Sequence, residues 1–122
     1  MCASENNTKM PRRNVPEPFA LKVGTRIREL RYERGMSLAN LADASNLSKG
    51  HLSSVEHGLA AITTQTIERL SQGFDIPPMY LLAFSADDER SKTAELLRDL
   101  SVTEVRKIRR QIQADVKGRG RH

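Results

Sequence analysis

The residues best suited to chemistry lie between Ser37 and Gly58, where small polar side chains surround a few apolar ones. On a helix over residues 49–57, Leu52 and Val55 are expected to face inward. The residues expected to stay outside are Lys49, Gly50, His51, Ser53, Ser54 and His57. Lysine donates hydrogen bonds to guanine acceptors, and serine both donates and accepts them. A helix with this surface is typical of one that reads base edges in the major groove of DNA.

The two histidines of this segment raise the alternative of a metal site. His51 and His57 are six residues apart, whereas side chains on one helix meet at i, i+3 or i, i+4 spacing. No cysteine lies near them, because the only cysteine is Cys2. We therefore predict no metal site and no cofactor. His51 is either a groove-facing or a solvated side chain, and His57 is expected to help end the helix.

Catalytic motifs are absent from the sequence as well. It contains no phosphate-binding glycine loop, no His-Glu-x-x-His pair and no nucleophile elbow. No apolar run is long enough to span a membrane, and the start of the chain lacks the apolar stretch of a secretory signal. The single cysteine cannot form an internal disulfide, which suits a reducing compartment. The sequence thus predicts a non-enzymatic protein of the cytoplasm.

The apolar periodicity predicts an all-α fold with five helices between residues 19 and 86. In the first helix, Val23, Ile27 and Leu30 recur at helical spacing, and Gly35 follows the end of the helix. Residues that favour helix ends mark the later boundaries. They are Ser37 and Ser48 as N-caps, Asn46 in a left-handed turn, Thr63 or Thr64 at the start of the fourth helix, Gly58 and Gly73 at helix ends, and Pro77-Pro78 in the first turn of the fifth helix.

The charge distribution separates the ends of the chain from its middle. The net charge is +5, but residues 23–86 carry equal numbers of acidic and basic side chains. Residues 1–18 are polar and rich in proline, which predicts a flexible arm. Residues 101–122 carry seven basic side chains against two acidic ones. The total charge is therefore weak evidence for a nucleic-acid partner, because the excess lies outside the segment that could read bases.

Two more helices are predicted over residues 87–117, followed by a flexible basic tail at 118–122. Ser101 and Glu104 have the spacing of a capping box at the start of the second of them. Its apolar face must be covered, either by a second copy of the chain or by the chain's own core. We predict the second copy, contacted through Leu96, Leu97, Leu100, Val105, Ile108 and Ile112.

The opposite face of this last helix is basic and has three interpretations. It carries Arg106, Lys107, Arg109 and Arg110. The face is either simply solvated or a supplementary contact to DNA or to a partner. Membrane binding is the least favoured of the three, because the apolar face has no aromatic anchor.

Several short segments combine in one register between residues 23 and 82. They are Val-Gly-Thr-Arg-Ile-Arg-Glu-Leu-Arg (23–31), Arg-Gly-Met-Ser (34–37), Leu-Ala (41–42), Leu-Ser-Ser-Val-Glu-His-Gly (52–58) and Ile-Pro-Pro-Met-Tyr-Leu-Leu (76–82). In this register the sequence resembles the Cro/repressor-type (xenobiotic-response-element) family of bacterial and phage transcription regulators. The resemblance covers about residues 19–84. It implies a DNA-binding domain over 19–86, with a helix-turn-helix motif at about 37–58.

The resemblance also implies roles for individual residues. Ser48 holds the start of the third helix against a phosphate, Lys49, Gly50 and Ser54 occupy base-reading positions, and His51 and Ser53 lie beside them. Ser37, Thr63 and Thr64 are the further DNA-contacting candidates, and Arg31 and Glu56 form a structural ion pair. The chain departs from the family at Leu38, where a glutamine is usual, and in the apolar loop Leu59-Ala60-Ala61-Ile62.

These observations predict a sequence-specific transcriptional regulator, a repressor that binds an inverted repeat of double-stranded DNA as a homodimer. Residues 49–57 lie in the major groove in this interpretation. The alternative is an antitoxin-like or anti-activator protein that sequesters a protein partner through its C-terminal helices. Leu38 and the apolar loop after Gly58 slightly favour this alternative.

Overall fold

A computed structural model describes residues 14–84, 86 and 88–120 of the chain. Most of the predicted arm, residues 1–13, and the last two residues of the predicted tail lie outside this range. The chain divides into two compact units at the Phe84–Ser85 boundary. No strand occurs in the described residues, so the prediction of an all-α protein is confirmed.

Over residues 14–84, the first unit contains four α-helices and one 3₁₀ turn. They are α1 (Pro18–Glu33), α2 (Leu38–Ser45), α3 (Lys49–Glu56), α4 (Thr64–Phe74) and the 3₁₀ turn Pro78–Leu81. The prediction of a full fifth helix is therefore wrong. Pro77 and Pro78 contribute no N–H donor, and the segment closes with i→i+3 bonds, among them those from the Tyr80 amide to the Pro77 carbonyl (3.1 Å) and from the Leu82 amide to the Met79 carbonyl (3.2 Å).

The helix starts follow the local chemistry of the sequence. The hydroxyls of Ser37, Ser48 and Thr63 each accept a hydrogen bond, at 3.0–3.1 Å, from the amide three residues further on. Each hydroxyl thereby satisfies a donor that the first helical turn leaves free. Asn46 ends α2 in the left-handed conformation (φ 56°), and Gly35 follows α1 with φ 64°. These predicted boundaries are confirmed, and Thr63 rather than Thr64 is the cap.

The core of the first unit joins all four helices. Its fully buried members are aliphatic or aromatic side chains from each helix and from the 3₁₀ turn: Ile27, Leu30, Leu41, Leu52, Val55, Leu70, Phe74 and Leu81. Leu38 and Ile62 pack against this cluster, and Ala60 belongs to it. Leu38 and the apolar loop after Gly58 therefore stabilise the core, which removes the observation that favoured a protein-sequestering function.

Two glycines mark places where helices approach closely. A Cβ on Gly24 would lie 2.6 Å from the carbonyl oxygen of Glu56, so α1 rests directly on the backbone at the end of α3. A Cβ on Gly73 would clash with the Ser45 hydroxyl at the end of α2. The predicted end of the fourth helix near Gly73 is confirmed to within one residue. The helix continues to Phe74 and ends at Asp75 in the left-handed conformation (φ 56°), while Gly73 serves helix packing.

The second unit consists of α5 (Glu89–Arg98) and α6 (Val102–Gly118). Neither helix contains a buried residue. At 17 residues, α6 includes Gly118, so the prediction of a flexible tail from residue 118 is wrong at its first position. In the described part of the chain, neither this helix nor any other is long and apolar enough to cross a bilayer.

The predicted capping box at the start of α6 is confirmed. The Ser101 hydroxyl accepts from the Glu104 amide (3.2 Å), and the Glu104 carboxylate accepts from the Ser101 amide (3.0 Å). These bonds favour the charged carboxylate and hold the pKa of Glu104 below its ordinary value of 4.5.

The lowered pKa of Glu104 determines how the stability of this helix start changes with pH. A carboxyl group whose pKa is lower when folded stabilises the fold above its unfolded pKa, and the contribution is lost as the pH falls through the folded value. We expect the Ser101 amide resonance to titrate in NMR with a midpoint below 4.5. The Glu104→Gln variant should lose this titration, and a midpoint at or above 4.5 in the wild type would contradict the capping geometry.

Candidate nucleic-acid interface

The helices α2 and α3 and the turn between them form one rigid support. The turn comprises Asn46, Leu47 and Ser48, and the Leu47 amide donates to the Ala42 carbonyl at 2.9 Å. On α3, Leu52 and Val55 are fully buried against the core. The burial of these two side chains fixes the orientation of α3, and therefore of its outer side.

The exposed edge of α3 begins at its first turn. Lys49 and Gly50 are exposed, and His51 and Ser53 are half-buried beside them. A Cβ on Gly50 would meet no atom within 4 Å, so this position opens directly to solvent. At the other end, the His57 ring nitrogen Nδ1 lies 2.7 Å from the Ser53 carbonyl, where α3 ends.

One predicted contact residue does not reach this edge. Ser54 is only 7% exposed, so its placement on the outside of the helix is wrong. At the end of α3, the Leu59 amide donates to the Ser54 carbonyl at 2.9 Å.

The Arg31 and Glu56 side chains form a buried bidentate ion pair between α1 and α3. Arg31 donates to the two carboxylate oxygens of Glu56 at 2.8 and 3.0 Å and to the Met36 carbonyl at 3.1 Å. Glu56 is 2% exposed. The hydrogen bond to Glu56 raises the pKa of Arg31 above its ordinary value, so the guanidinium stays charged. The pair fixes α3 from beneath.

A second cation supports the same end of α3 and was not predicted. Arg28 donates to the backbone carbonyl of Glu56 at 3.1 Å, and its guanidinium lies 3.7 Å from the Glu56 carboxylate. The sequence does carry a signal for it, because Arg28 precedes Arg31 by three residues and so shares its side of α1. Both arginines position the helix without belonging to its outer edge.

Most of the positive charge of the first unit is committed to internal contacts. Residues 14–84 contain seven basic and seven acidic side chains. Arg26, Arg34 and Arg69 donate to backbone carbonyls at 2.9, 2.6 and 3.3 Å. Within residues 14–84, Lys49 is the one basic side chain for which the structure shows no hydrogen bond, ion pair or ring contact. A cation with this freedom, at the first position of α3, is available to an anionic or base-edge acceptor.

Hydroxyl groups border the same region. Ser37, Ser48, Thr63 and Thr64 are exposed at or beside the starts of α2, α3 and α4. A hydroxyl that accepts a capping bond keeps its own hydrogen for donation, and the positive end of each helix dipole lies beside it. Such helix starts are suited to phosphate groups. Over the described residues, no cluster of side chains suited to a metal ion occurs.

Comparison with known proteins connects this geometry to a family. The helix-turn-helix family model matches residues 27–81 of the chain. SinR of Bacillus subtilis, an HTH-type transcriptional regulator, is 32% identical over 91 residues, which cover 70% of this chain and 82% of SinR. The chain belongs to the Cro/C1-type helix-turn-helix family of transcriptional regulators. The suspected resemblance is confirmed, and the family is non-enzymatic, as predicted.

Other proteins that the chain is similar to differ from it in length. The HTH-type transcriptional regulator RamB of Mycobacterium tuberculosis is 34% identical over 74 residues, and the chain spans only 15% of its length. The solved restriction-modification controller protein C.AhdI of Aeromonas hydrophila is 34% identical, with a TM-score of 0.52. It matches 53% of this chain and 98% of its own. The helix-turn-helix fold is thus shared, while α5 and α6 lie beyond the residues that the family description matches.

Proposed function

We propose that this helix-turn-helix regulator represses transcription in the cytoplasm by binding an inverted-repeat operator as a homodimer. The observation that carries the proposal is the exposed edge of α3, where Lys49 and Gly50 are presented on a rigid support. An edge of this kind fits the major groove, which admits one α-helix. The Arg31–Glu56 pair keeps that edge in place.

The proposed DNA contacts are of two kinds: some position the protein on the duplex, and others read the bases. Ser37, Ser48, Thr63 and Thr64 lie at or beside helix starts and are suited to donate to phosphates, which fix the register on the duplex. Lys49 is suited to guanine acceptors, with His51 and Ser53 beside it. Gly50 brings no side chain, and Ser54 is buried. Few side chains therefore remain for direct base readout, and DNA shape is expected to supply part of the sequence preference.

Homodimerisation is proposed to occur through the second unit. Leu96 is 69% exposed, Ile108 36% and Ile112 53%, and neither helix of the unit buries a residue. Leu97, Leu100 and Val105 are half-buried and complete the candidate interface. Covering apolar side chains with a second copy stabilises by roughly 25 cal/mol per Å² of apolar surface. A two-fold dimer also matches the symmetry of an inverted repeat.

Repression is the simplest mode of regulation for such a dimer, because it needs no contact with other proteins. A bound dimer excludes other proteins from its operator by volume alone. In this proposal, the first of the two compact units binds DNA and the second dimerises.

One experiment tests DNA binding, symmetry and spacing together. The full chain is used to select duplexes from a random pool, and its mass is measured by light scattering at the same concentration. We expect a selected inverted repeat with half-sites about one helical turn apart, or a multiple of this, and a dimeric mass. A pool without enrichment would contradict the proposed function. An enriched single half-site bound by a monomer would contradict the dimer alone.

The assigned register of α3 has its own test in Lys49→Ala. We expect the variant to weaken binding to the selected operator by about 1–3 kcal/mol and to relax preference at one base position in each half-site. The measurement is a gel-shift series across operator variants. Lys92→Ala, which removes an exposed lysine from α5, is the control and should leave the base preferences unchanged. A Lys49→Ala loss of the same size on every sequence would make this residue a phosphate contact instead.

A further inference from the structure

The last helix carries its positive charge on one side. Successive helical residues turn by about 100°, so Arg106, Arg110 and Lys117 fall on a single side of α6. We call these three residues the basic stripe. All three are exposed, and in the described chain no acidic side chain pairs with any of them. The stripe is about 16 Å long at the helical rise of 1.5 Å per residue.

The two flanks of the apolar face of α6 differ in charge. On one flank, Arg109 and Gln113 lie between Val116 and the basic stripe, and the Arg109 guanidinium donates to the Gln113 side chain at 2.8 Å. The other flank carries Glu104, Gln111 and Asp115, and the Gln111 amide contacts the Asp115 carboxylate at 3.5 Å. When a partner covers the apolar face, a helix of this pattern presents cations to one side only.

We propose that the basic stripe is a second DNA-binding surface, which contacts phosphates without reading sequence. This inference rests on the proposed function. Its physical basis is the charge of the described residues: residues 14–84 are neutral, whereas 101–120 carry six basic side chains against two acidic ones. Phosphate neutralisation by lysine and arginine supplies most non-specific affinity for DNA. Within residues 14–84, Lys49 is the one basic side chain that shows no hydrogen bond, ion pair or ring contact, so the exposed cations of α6 are well suited to supply this contribution.

The asymmetry of the flanks favours DNA over a membrane surface. A helix lying in a membrane interface places both flanks of its apolar face at the level of the lipid headgroups. Glu104 and Asp115 would then face anionic lipids, which repel them. The apolar face of α6 also contains no aromatic side chain. A duplex needs contact along one flank only.

The test compares the full chain with a variant that neutralises the stripe, Arg106→Gln/Arg110→Gln/Lys117→Gln. The control, Arg90→Gln/Lys92→Gln/Lys107→Gln, removes the same charge from exposed positions outside the stripe. Affinity is measured against salt on two probes, the selected operator and a duplex of scrambled sequence. Light scattering and thermal unfolding by circular dichroism verify assembly and folding of each variant.

We expect the stripe variant to lower the slope of log affinity against log salt by about 5, because three cations per chain are about six per bound dimer. Affinity at about 0.1 M salt should fall tenfold or more, equally on both probes, while the control falls much less. If the stripe variant shows the same salt slope as the wild type, and the wild type still selects its operator, this inference is overturned and the proposed function stands. Loss of the dimer in the stripe variant would also overturn it, because weaker binding would then follow from disassembly.

A membrane role would give a different result. Vesicles of phosphatidylcholine and phosphatidylserine in equal amounts are the probe. Binding to them that requires the stripe, with DNA affinity unchanged in the stripe variant, would overturn the inference. A wild type that enriches no duplex and does not bind the scrambled one would instead overturn the proposed function.

Discussion

Glu56→Gln is expected to lower the free energy of unfolding by about 3–5 kcal/mol, because it leaves the Arg31 guanidinium buried without a counter-charge. Arg31 is 9% exposed, so water cannot replace the lost carboxylate. Domains of this size are stable by only about 5–15 kcal/mol, and the variant should unfold at a much lower urea concentration. DNA binding should fail together with folding, since the residue lies beneath α3.

Two controls separate the charge from the packing in this prediction. Glu89→Gln breaks the exposed Lys92–Glu89 pair and should cost less than about 1 kcal/mol. The double variant Arg31→Met/Glu56→Leu replaces both buried charges by apolar side chains and should recover part of the loss, because apolar replacement of a whole buried pair is often neutral. A Glu56→Gln loss below about 1 kcal/mol would show that the pair contributes little to stability.

Gly24→Ala is expected to be the second most damaging change. Its Cβ would lie 2.6 Å from the Glu56 carbonyl oxygen and closer still to that of Val55, and both are backbone atoms of α3. Helix α1 must then separate from α3, at a cost of about 3 kcal/mol for overpacking. The shift also moves the edge that carries Lys49, so we expect weaker operator binding even at temperatures where the variant is folded.

The matched control is Gly50→Ala, the same substitution on the facing helix. No atom lies within 4 Å of the added Cβ, so no clash opposes the gain in helix propensity, which is up to about 1 kcal/mol. In urea unfolding, Gly24→Ala should be less stable than the wild type and Gly50→Ala more stable. Equal stabilities for Gly24→Ala and the wild type would contradict the close approach of α1 and α3.

The predictable features were those set by residues within a few positions of one another. Ser37, Ser48 and Thr63 cap helices because a short hydroxyl reaches an amide three residues away, whatever the tertiary fold. Asn46 adopts a left-handed conformation for an equally local reason. The Ser101–Glu104 box belongs to the same class.

The features that sequence reasoning missed depend on segments far apart in the chain. Gly73 lies near the predicted helix end, but its close contact with α2 depends on the position of Ser45, which no local pattern reveals. Ser54 was predicted to lie on the outer side of α3, but it is buried in the folded unit. Arg28 joins the Glu56 site because α1 and α3 approach at Gly24. Helical periodicity describes one element at a time and contains none of these contacts.

The open position at Gly50 has a consequence for how such a regulator can diverge. Every glycine codon becomes an arginine codon by a single base change, and arginine is the side chain that most often reads guanine. Because nothing surrounds an added Cβ there, new side chains at this position enter without disturbing the core. In the proposed register, a duplicated copy of the gene could acquire a different operator preference in one mutational step. Two paralogues could thus come to control separate promoters while sharing one scaffold.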